Sequence, residues 1–299
     1  MIDQEKAKAR FKRHDARRIP HQSNKAKLWR DTHPEYDKLR RRRERESRGR
    51  GPHNLIDEIY APLKFKSSNV IVAGDWHINR LDAELAHFML EIAKDQGVKD
   101  IAIPGDFWEQ GDYTSFVDLS WKDHFTQEKE AVAMWLQILV DSFRGVYFCQ
   151  GNHEYRWINQ NYGRMRMQEL FATTEVVDGY EVTNDDHMIL NPDKDPWLLC
   201  HPKNYRKTPG SVARELASIH HMNVCCAHGH QFSNNLDKSD RYRCIDGMGM
   251  FHLPSLEYAR RTSCHSNVVS GFWLIQDGYP IEYRWSGKHG WADELGVKV

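Results

Sequence analysis

Five short apolar segments of this 299-residue chain are each followed, directly or after a glycine, by a histidine or an acidic or amide side chain. Such segments are typical of buried strands, and a buried strand has no structural need for these polar residues at its end. The carboxyl ends of the strands in an open α/β sheet form the edge where ligands bind, so we expect the polar residues to meet there. The five polar strings are Gly74-Asp75-Trp76-His77, Gly105-Asp106, Gly151-Asn152-His153-Glu154, His201 and His228-Gly229-His230.

The segments around these strings alternate between strand and helix patterns. Apolar residues recur at helical spacing over 81–92 and 132–143, and another helix is expected near 211–222. The pattern predicts strands at 69–73, 100–104, 145–150, 197–200, 224–227, 268–276 and 281–285. This order is that of an α/β domain with helices outside and strands within. We expect the stretches 165–196 and 231–266 to form loops over the strand ends.

The polar strings supply oxygen and imidazole donors and no thiolate. This donor set suits Mn, Fe or Zn better than Mg or Ca alone, and Mn is the preferred candidate. They hold more donors than one tetrahedral ion needs, and a carboxylate such as Asp106 can bridge two cations ~3.5–4 Å apart. Two such ions lower the pKa of a bridging water toward ~7 and provide hydroxide at neutral pH. The candidate metal ligands are Asp75, His77, Asp106, Asn152, His201, His228 and His230.

In that order the strings resemble the calcineurin-like metallophosphoesterase family, over roughly residues 68–285. The resemblance implies a four-layer αββα sandwich and two divalent metal ions in a dinuclear site. It implies that Asp75, His77, Asp106 and His230 hold one ion and that Asp106, Asn152, His201 and His228 hold the other. It also implies that His153 protonates the leaving alkoxide.

Two positions depart from the family pattern. Ala227 stands where the family usually has glycine before the last His-x-His pair, which leaves both ligands in place. The stretch 105–111 has the spacing of the protein Ser/Thr phosphatase string Gly-Asp-x-x-Asp-Arg-Gly, but Gln110 replaces its phosphate-binding arginine, which disfavours a phosphoprotein phosphatase. By the same resemblance Glu109 is expected to orient His153. Arg156, three residues beyond His153, is an alternative phosphate clamp.

Three aromatic residues, Trp76, Phe107 and Trp108, flank the candidate ligands. Two roles stay open for them at this point: packing in the core, and a rim on which a base stacks.

The formal net charge of zero conceals an uneven distribution of charge along the chain. Residues 1–53 hold 18 Lys and Arg against 8 Asp and Glu, and the remainder holds 24 against 34. Because this basic segment is also poor in aliphatic residues, we expect an N-terminal arm over 1–55 and a metallophosphoesterase domain over 56–299. A solvated tail and a nucleic-acid grip over 1–53 are both compatible with its arginine run at 40–43.

The sequence therefore predicts a metal-dependent phosphoric ester hydrolase in which a metal-bound hydroxide attacks in line. The preferred activity is that of a phosphodiesterase or nuclease, with nucleic acid as the substrate. The alternatives are a phosphomonoesterase acting on protein or small metabolites, and a non-catalytic nucleic-acid-binding module on the same fold.

Neither a long apolar run nor a signal-peptide pattern occurs, so a cytoplasmic protein without a membrane partner is expected. Six cysteines without a Cys-x-x-Cys pair fit buried free thiols better than disulfides.

Overall fold

A computed structural model describes residues 61–114, 124–161, 165–203, 206, 208–256 and 268–285 of the chain. The expected basic arm over 1–55, and with it the arginine run at 40–43, lies outside the described residues, as does Cys264.

Two six-stranded sheets form the centre of the described part. The first sheet has the strand order β12-β11-β2-β3-β4-β5 and the second has β1-β6-β7-β8-β10-β9. In the first sheet, β2, β3 and β4 are parallel neighbours. In the second sheet, β7, β8 and β10 are parallel neighbours. The strands are β1 (Leu63–Phe65), β2 (Asn69–Val72), β3 (Asp100–Pro104), β4 (Gly145–Cys149), β5 (Glu181–Val182), β6 (His187–Leu190), β7 (Trp197–Cys200), β8 (Asn223–Cys226), β9 (Ser233–Leu236), β10 (Arg243–Asp246), β11 (Ser270–Gln276) and β12 (Tyr279–Trp285).

Helices cover the outer faces of the two sheets. They are α1 (Ala83–Asp95), α2 (Phe125–Ser142), α3 (Asn152–Gln160), α4 (Met167–Ala172) and α5 (Ser211–His220). Short 3₁₀ turns occur at Ile78–Arg80, Gly111–Tyr113 and Leu253–Ser255. Asp82 caps the N-terminus of α1: its carboxylate accepts the amide of Leu85 at 3.1 Å and so satisfies a donor that the first turn leaves free.

The apolar residues of each central strand alternate between two buried layers, as the period of two requires. In β3, Ile101 and Ile103 pack against the helices of the first sheet, while Ala102 faces the second sheet. In β7, Leu199 faces the first sheet and Leu198 packs in the cluster that contains α5 residues. The layers are thus helix, sheet, sheet and helix, and the predicted four-layer αββα sandwich is confirmed.

The expectation that 165–196 and 231–266 are loops is wrong for about a third of each stretch, and 257–266 lies outside the described residues. The first stretch contains α4, β5 and β6, and the second contains β9, β10 and the turn at Leu253–Ser255. These elements have six residues or fewer, and β9 reads Ser-Asn-Asn-Leu, so they lack the periodicity from which a strand or helix is recognised.

Two properties outside the site complete the fold. Cys149, Cys200, Cys225, Cys226 and Cys244 are buried free thiols, as the sequence predicts. None of the helices in the described part of the chain combines the length and the apolar character needed to cross a bilayer.

Candidate metal centre

The residues that follow β2, β3, β4, β7 and β8 lie together at the carboxyl edge of the two sheets. Backbone and side-chain contacts tie the strand ends to one another: the amide of Asp75 donates to the Gly105 carbonyl at 3.1 Å. The amide of His228, from the second sheet, donates to Asp75 Oδ2 at 2.9 Å. All seven candidate ligands therefore converge, although they are spread over some 155 positions of sequence.

The first cluster consists of Asp75, His77 and His230. Asp75 Oδ1 lies 3.6 Å from His230 Nε2 and 4.0 Å from His77 Nε2. All three side chains are buried. One carboxylate oxygen and two imidazole nitrogens thus surround one point.

The second cluster consists of Asp106, His201 and His228, with Asn152 beside them. His201 Nε2 lies 2.9 Å from Asn152 Oδ1 and 3.3 Å from Asp106 Oδ2. The rings of His201 and His228 are 4.9 Å apart between centroids. Asp75 Oδ1 is 3.8 Å from His201 Nδ1, so the two clusters are neighbours.

The hydrogen bonds of His201 determine which of its atoms faces the cluster. Its Nδ1 lies 3.1 Å from the Pro104 carbonyl, which only accepts, so Nδ1 carries the proton. In a neutral ring Nε2 is then an acceptor, as are Asn152 Oδ1 and Asp106 Oδ2. His201 Nε2 and the two oxygens, 2.9 and 3.3 Å from it, therefore need a positive charge among them, which either a proton on Nε2 or a divalent cation supplies.

The first cluster also contains polar atoms that a cation would satisfy. Within the described part of the chain, neither Asp75 Oδ1 nor His77 Nε2 makes a hydrogen bond, and both are buried. Buried polar atoms are nearly always hydrogen-bonded or bound to metal, because leaving them without either costs free energy. The donor set thus fits metal ions at both clusters.

The pKa shifts of the site residues also indicate that the site requires a positive charge. Burial raises the pKa of Asp75 to about 7. Burial alone would lower the pKa of His201, but the carboxylates of Asp106, Asp75 and Glu154 together outweigh it and raise that pKa to about 10. Burial lowers the pKa of His228 to about 4, which keeps it in the neutral form that binds metals.

Five of the seven candidate ligands have a left-handed backbone. Their φ values run from 43° at His77 to 73° at His228, with Asp75, Asp106 and His230 between them. Residues other than glycine seldom adopt the left-handed backbone conformation, and sparsely populated backbone conformations cost on the order of 1–3 kcal/mol of folding free energy each. Of the glycines that precede Asp75, Asp106 and Asn152, only Gly105 has a positive φ, so the ligand residues themselves make most of these turns.

Two of these glycines are needed for close approach. A Cβ on Gly151 would lie 2.1 Å from Asp106 Oδ1, and one on Gly105 would lie 2.7 Å from the His201 ring. Any side chain at either position would displace a ligand, so glycine here allows the strand ends to pack against the cluster.

His153 lies at the edge of both clusters. Its backbone amide donates to Asp106 Oδ1 at 2.8 Å, and its Nδ1 lies 2.7 Å from the Glu109 carbonyl. Burial is the largest effect on its pKa, which is lowered to about 4. The ring is therefore neutral at pH 7, with its proton on Nδ1.

Glu109, expected from the resemblance to orient His153, makes its shortest side-chain contact with a different histidine. Its Oε2 lies 2.7 Å from His77 Nδ1 and 3.5 Å from His153 Nδ1. Although burial opposes ionisation, the imidazoles of His153 and His77 and the guanidinium of Arg80 outweigh it and lower the pKa of Glu109 to about 2. The carboxylate is charged and directs His77 Nε2 toward Asp75.

Arg156, the alternative phosphate clamp, packs against His153. Its Nη2 lies 2.8 Å from His153 Nε2, and its Nη1 donates to the Glu109 carbonyl at 3.1 Å. The guanidinium is thus already at the candidate site, held beside the ring proposed to act on the leaving group.

Three residues that the sequence analysis did not assign support the loop that carries Asp106. Glu154 accepts the backbone amides of Asp106, Trp108 and Gly151 at 2.9–3.0 Å. Glu128 accepts the amides of Glu109 and Gln110, and Arg80 Nε donates to Glu109 Oε1 at 3.3 Å. Glu154 sits within the Gly-Asn-His-Glu string, which is a signal for its importance; no local pattern indicates Glu128.

The remaining flanking residues are buried in the core. Trp76, Phe107 and Trp108 are at most 1% exposed, so they pack in the core and cannot form a rim for a base. Gln110 is fully buried, and neither of its amide atoms makes a hydrogen bond within the described residues. Gln110 therefore does not reach a substrate in the way the missing arginine would.

Comparison with known proteins gives neither a matching family model nor a matching curated protein. Among solved structures, Vps29 from Entamoeba histolytica, solved with Zn²⁺, is 14% identical over 74% of this chain and 94% of its own, with a TM-score of 0.41. Vps29 from Chaetomium thermophilum is 12% identical over 75% and 91%, with a TM-score of 0.39. A predicted phosphoesterase from Streptococcus pneumoniae is 11% identical over 73% and 88%, with a TM-score of 0.33.

Proposed function

We propose that this protein hydrolyses phosphoric esters with two divalent cations, Mn²⁺ first among them, held by Asp75, His77, Asp106, Asn152, His201, His228 and His230. The observation that carries the proposal is the pair of neighbouring donor clusters, in which acceptor atoms lie so close together that they require a positive charge between them. His201 Nε2, Asn152 Oδ1 and Asp106 Oδ2 are the sharpest case, at 2.9 and 3.3 Å.

Two bound cations supply Lewis acidity that polarises a phosphoryl group and makes hydroxide available at neutral pH. The chain itself contributes orientation and proton transfer. His153 holds its Nδ1 proton on the Glu109 carbonyl, so its Nε2, which lies 2.8 Å from Arg156 Nη2, is the ring atom that would exchange a proton with the departing oxygen. Arg156 adds a positive charge beside that ring, where a phosphate would bring negative charge.

For the substrate we propose a phosphodiester of nucleic acid, with a phosphomonoester as the alternative. Two features of the sequence support the diester. The N-terminal segment 1–53 is strongly basic, and Gln110 replaces the arginine of the phosphoprotein phosphatases. If that segment grips nucleic acid, oligonucleotide binding by the full chain should weaken steeply with added salt.

The test compares aryl phosphomonoesters and phosphodiesters, with Mn²⁺ and with chelator. We expect hydrolysis that requires Mn²⁺ and is lost in Asp106→Asn and His228→Ala, while the exposed variant Asp193→Asn keeps it. Hydrolysis that persists in metal-stripped protein would overturn the proposal. Hydrolysis absent from metal-loaded wild type would instead favour the non-catalytic module.

A further inference from the structure

Tyr155 is an exposed aromatic side chain in the first turn of α3, 45% accessible. In the described part of the chain it shares this exposure with one other aromatic residue, Tyr279. An accessible ring three residues beyond a candidate metal ligand has no role in the core, so its position relative to the site is informative.

Two independent connections place Tyr155 beside the candidate centre. Asn152 precedes it by three residues in α3, and side chains at this spacing lie on the same helix face. Side chains in a helix lean toward its N-terminus, so the ring leans toward Asn152. On the second sheet, Lys203 follows His201 by two residues, and its Nζ lies 5.4 Å from the Tyr155 ring centroid.

The contact between Asn152 and His201 joins the same two segments that carry Tyr155 and Lys203. Their side chains meet at 2.9 Å in the second cluster, while Tyr155 and Lys203 meet a few residues further along the same two segments. The ring and the ammonium therefore form one wall at the edge of the cluster. The neighbouring Arg156 turns toward His153 instead, with its Nη2 2.8 Å from Nε2. The backbone carbonyl of Asp186 accepts the amide of His201 at 2.8 Å, so the Asp186 carboxylate is an acidic group on this side.

An aromatic ring with a cation beside a phosphoester site matches the chemistry of a nucleotide. Bases stack on accessible aromatic rings regardless of their sequence, and lysine binds the adjoining phosphates. A phosphomonoester of a protein side chain has no base to stack. We propose that Tyr155 and Lys203 form a nucleotide subsite in which the ring stacks the base next to the scissile phosphodiester and the ammonium binds a neighbouring phosphate. This rests on the function proposed above.

The chain contains a matched control for this pair. Tyr279 is 63% exposed, and the guanidinium of Arg243 lies 4.6 Å from its ring centroid. Tyr279 and Arg243 therefore pair a ring with a cation as Tyr155 and Lys203 do. Tyr279 is on β12, at the outer edge of the first sheet, and it lies next to none of the candidate ligands. Tyr279→Ala therefore reports what is lost by removing a surface ring with its cation.

The experiment compares two diesters with the same leaving group, thymidine 5′-(p-nitrophenyl phosphate) and methyl p-nitrophenyl phosphate, in the Mn²⁺-loaded full chain. We expect Tyr155→Ala to lower the ratio of kcat/KM for the thymidine ester to that for the methyl ester about tenfold, mainly through KM. Tyr155→Phe should retain the ratio, since it keeps the ring. Lys203→Ala should weaken binding of a thymidine dinucleotide in a salt-dependent way.

The outcomes separate this inference from the proposed function. If wild type hydrolyses both esters and Tyr155→Ala leaves their ratio at the level of Tyr279→Ala, the nucleotide subsite is wrong and the esterase stands. If neither ester is hydrolysed, the proposed phosphodiesterase activity fails. The subsite is then tested by calorimetry, which measures the affinity of wild type, Tyr155→Ala and Tyr279→Ala for thymidine 5′-monophosphate. Equal affinity in all three proteins overturns the subsite.

Discussion

At the scale of single residues, the candidate centre depends on backbone conformations that residue type does not encode. Asp75, His77, Asp106, His228 and His230 are all left-handed, and each turns its side chain out of the strand direction and into the cluster. The residue types and their places after strands could be read from the sequence. The φ values could not, because they result from the packing of five strand ends against one another.

The contacts of Glu109 show the same limit. Its position in the phosphatase-like string pointed to His153, whereas its Oε2 lies closest to His77, at 2.7 Å. Which of two neighbouring histidines a carboxylate meets depends on less than 1 Å of side-chain position. Sequence spacing alone cannot resolve that difference.

Glu109→Gln should lower Mn²⁺ affinity roughly tenfold, because carboxylates that orient metal-binding histidines typically contribute 10–100-fold. The amide keeps an acceptor for His77 but removes the charge. Titration calorimetry measures the affinity, and the visible absorption of the Co²⁺-loaded protein reports the ligand geometry.

Glu128→Gln is the matched control for this prediction. Burial raises the pKa of Glu128 to about 8, so its carboxyl is already largely neutral at pH 7, and its Oε1 accepts only backbone amides from the same loop. We expect its Mn²⁺ affinity to stay within about twofold of wild type. Equal affinities for wild type and Glu109→Gln would refute the assigned contact with His77.

At the scale of elements, strands with strong apolar character were predictable and edge elements were not. The predictions for 100–104 and 197–200 match β3 and β7 in full. By contrast β5 has two residues and β9 is polar, and these strands form only because a neighbouring strand provides hydrogen-bond partners. The two stretches expected to be loops therefore add strands to both sheets.

Asp246, at the end of β10, connects this strand to α5 at a cost in stability. Its Oδ2 accepts the Gly210 amide, which precedes α5, at 3.0 Å. Burial raises its pKa from 3.8 to about 7. The folded state therefore holds the proton more tightly than the unfolded state, and this residue destabilises the fold increasingly as pH rises from about 4 to about 7.

Asp246→Asn should remove this penalty, which is on the order of 4 kcal/mol above pH 7 at 1.36 kcal/mol per pKa unit. Urea unfolding with chelator, at pH 4 and pH 8, measures the free energy of unfolding. The gain over wild type should be large at pH 8 and near zero at pH 4. The exposed variant Asp193→Asn should show no such gain, and a gain at pH 4 as large as that at pH 8 would contradict the explanation.

At the scale of the whole molecule, the four-layer arrangement brings the carboxyl edges of two different sheets together. Asp75, Asp106 and Asn152 come from the first sheet, and His201, His228 and His230 come from the second. Neither sheet alone holds a complete cluster, so the candidate centre exists only when the sheets are packed face to face. The order of strands and polar strings was enough to predict this convergence, because parallel strands fix which edge their ends share.

The most direct test is the number of Mn²⁺ ions bound per chain, measured by equilibrium dialysis followed by metal analysis. The two clusters predict two ions for wild type. His230→Ala and His228→Ala, which remove a donor from the first and the second cluster, should each retain one. Fewer than one ion on the wild-type protein, or unchanged binding in both variants, would contradict the account.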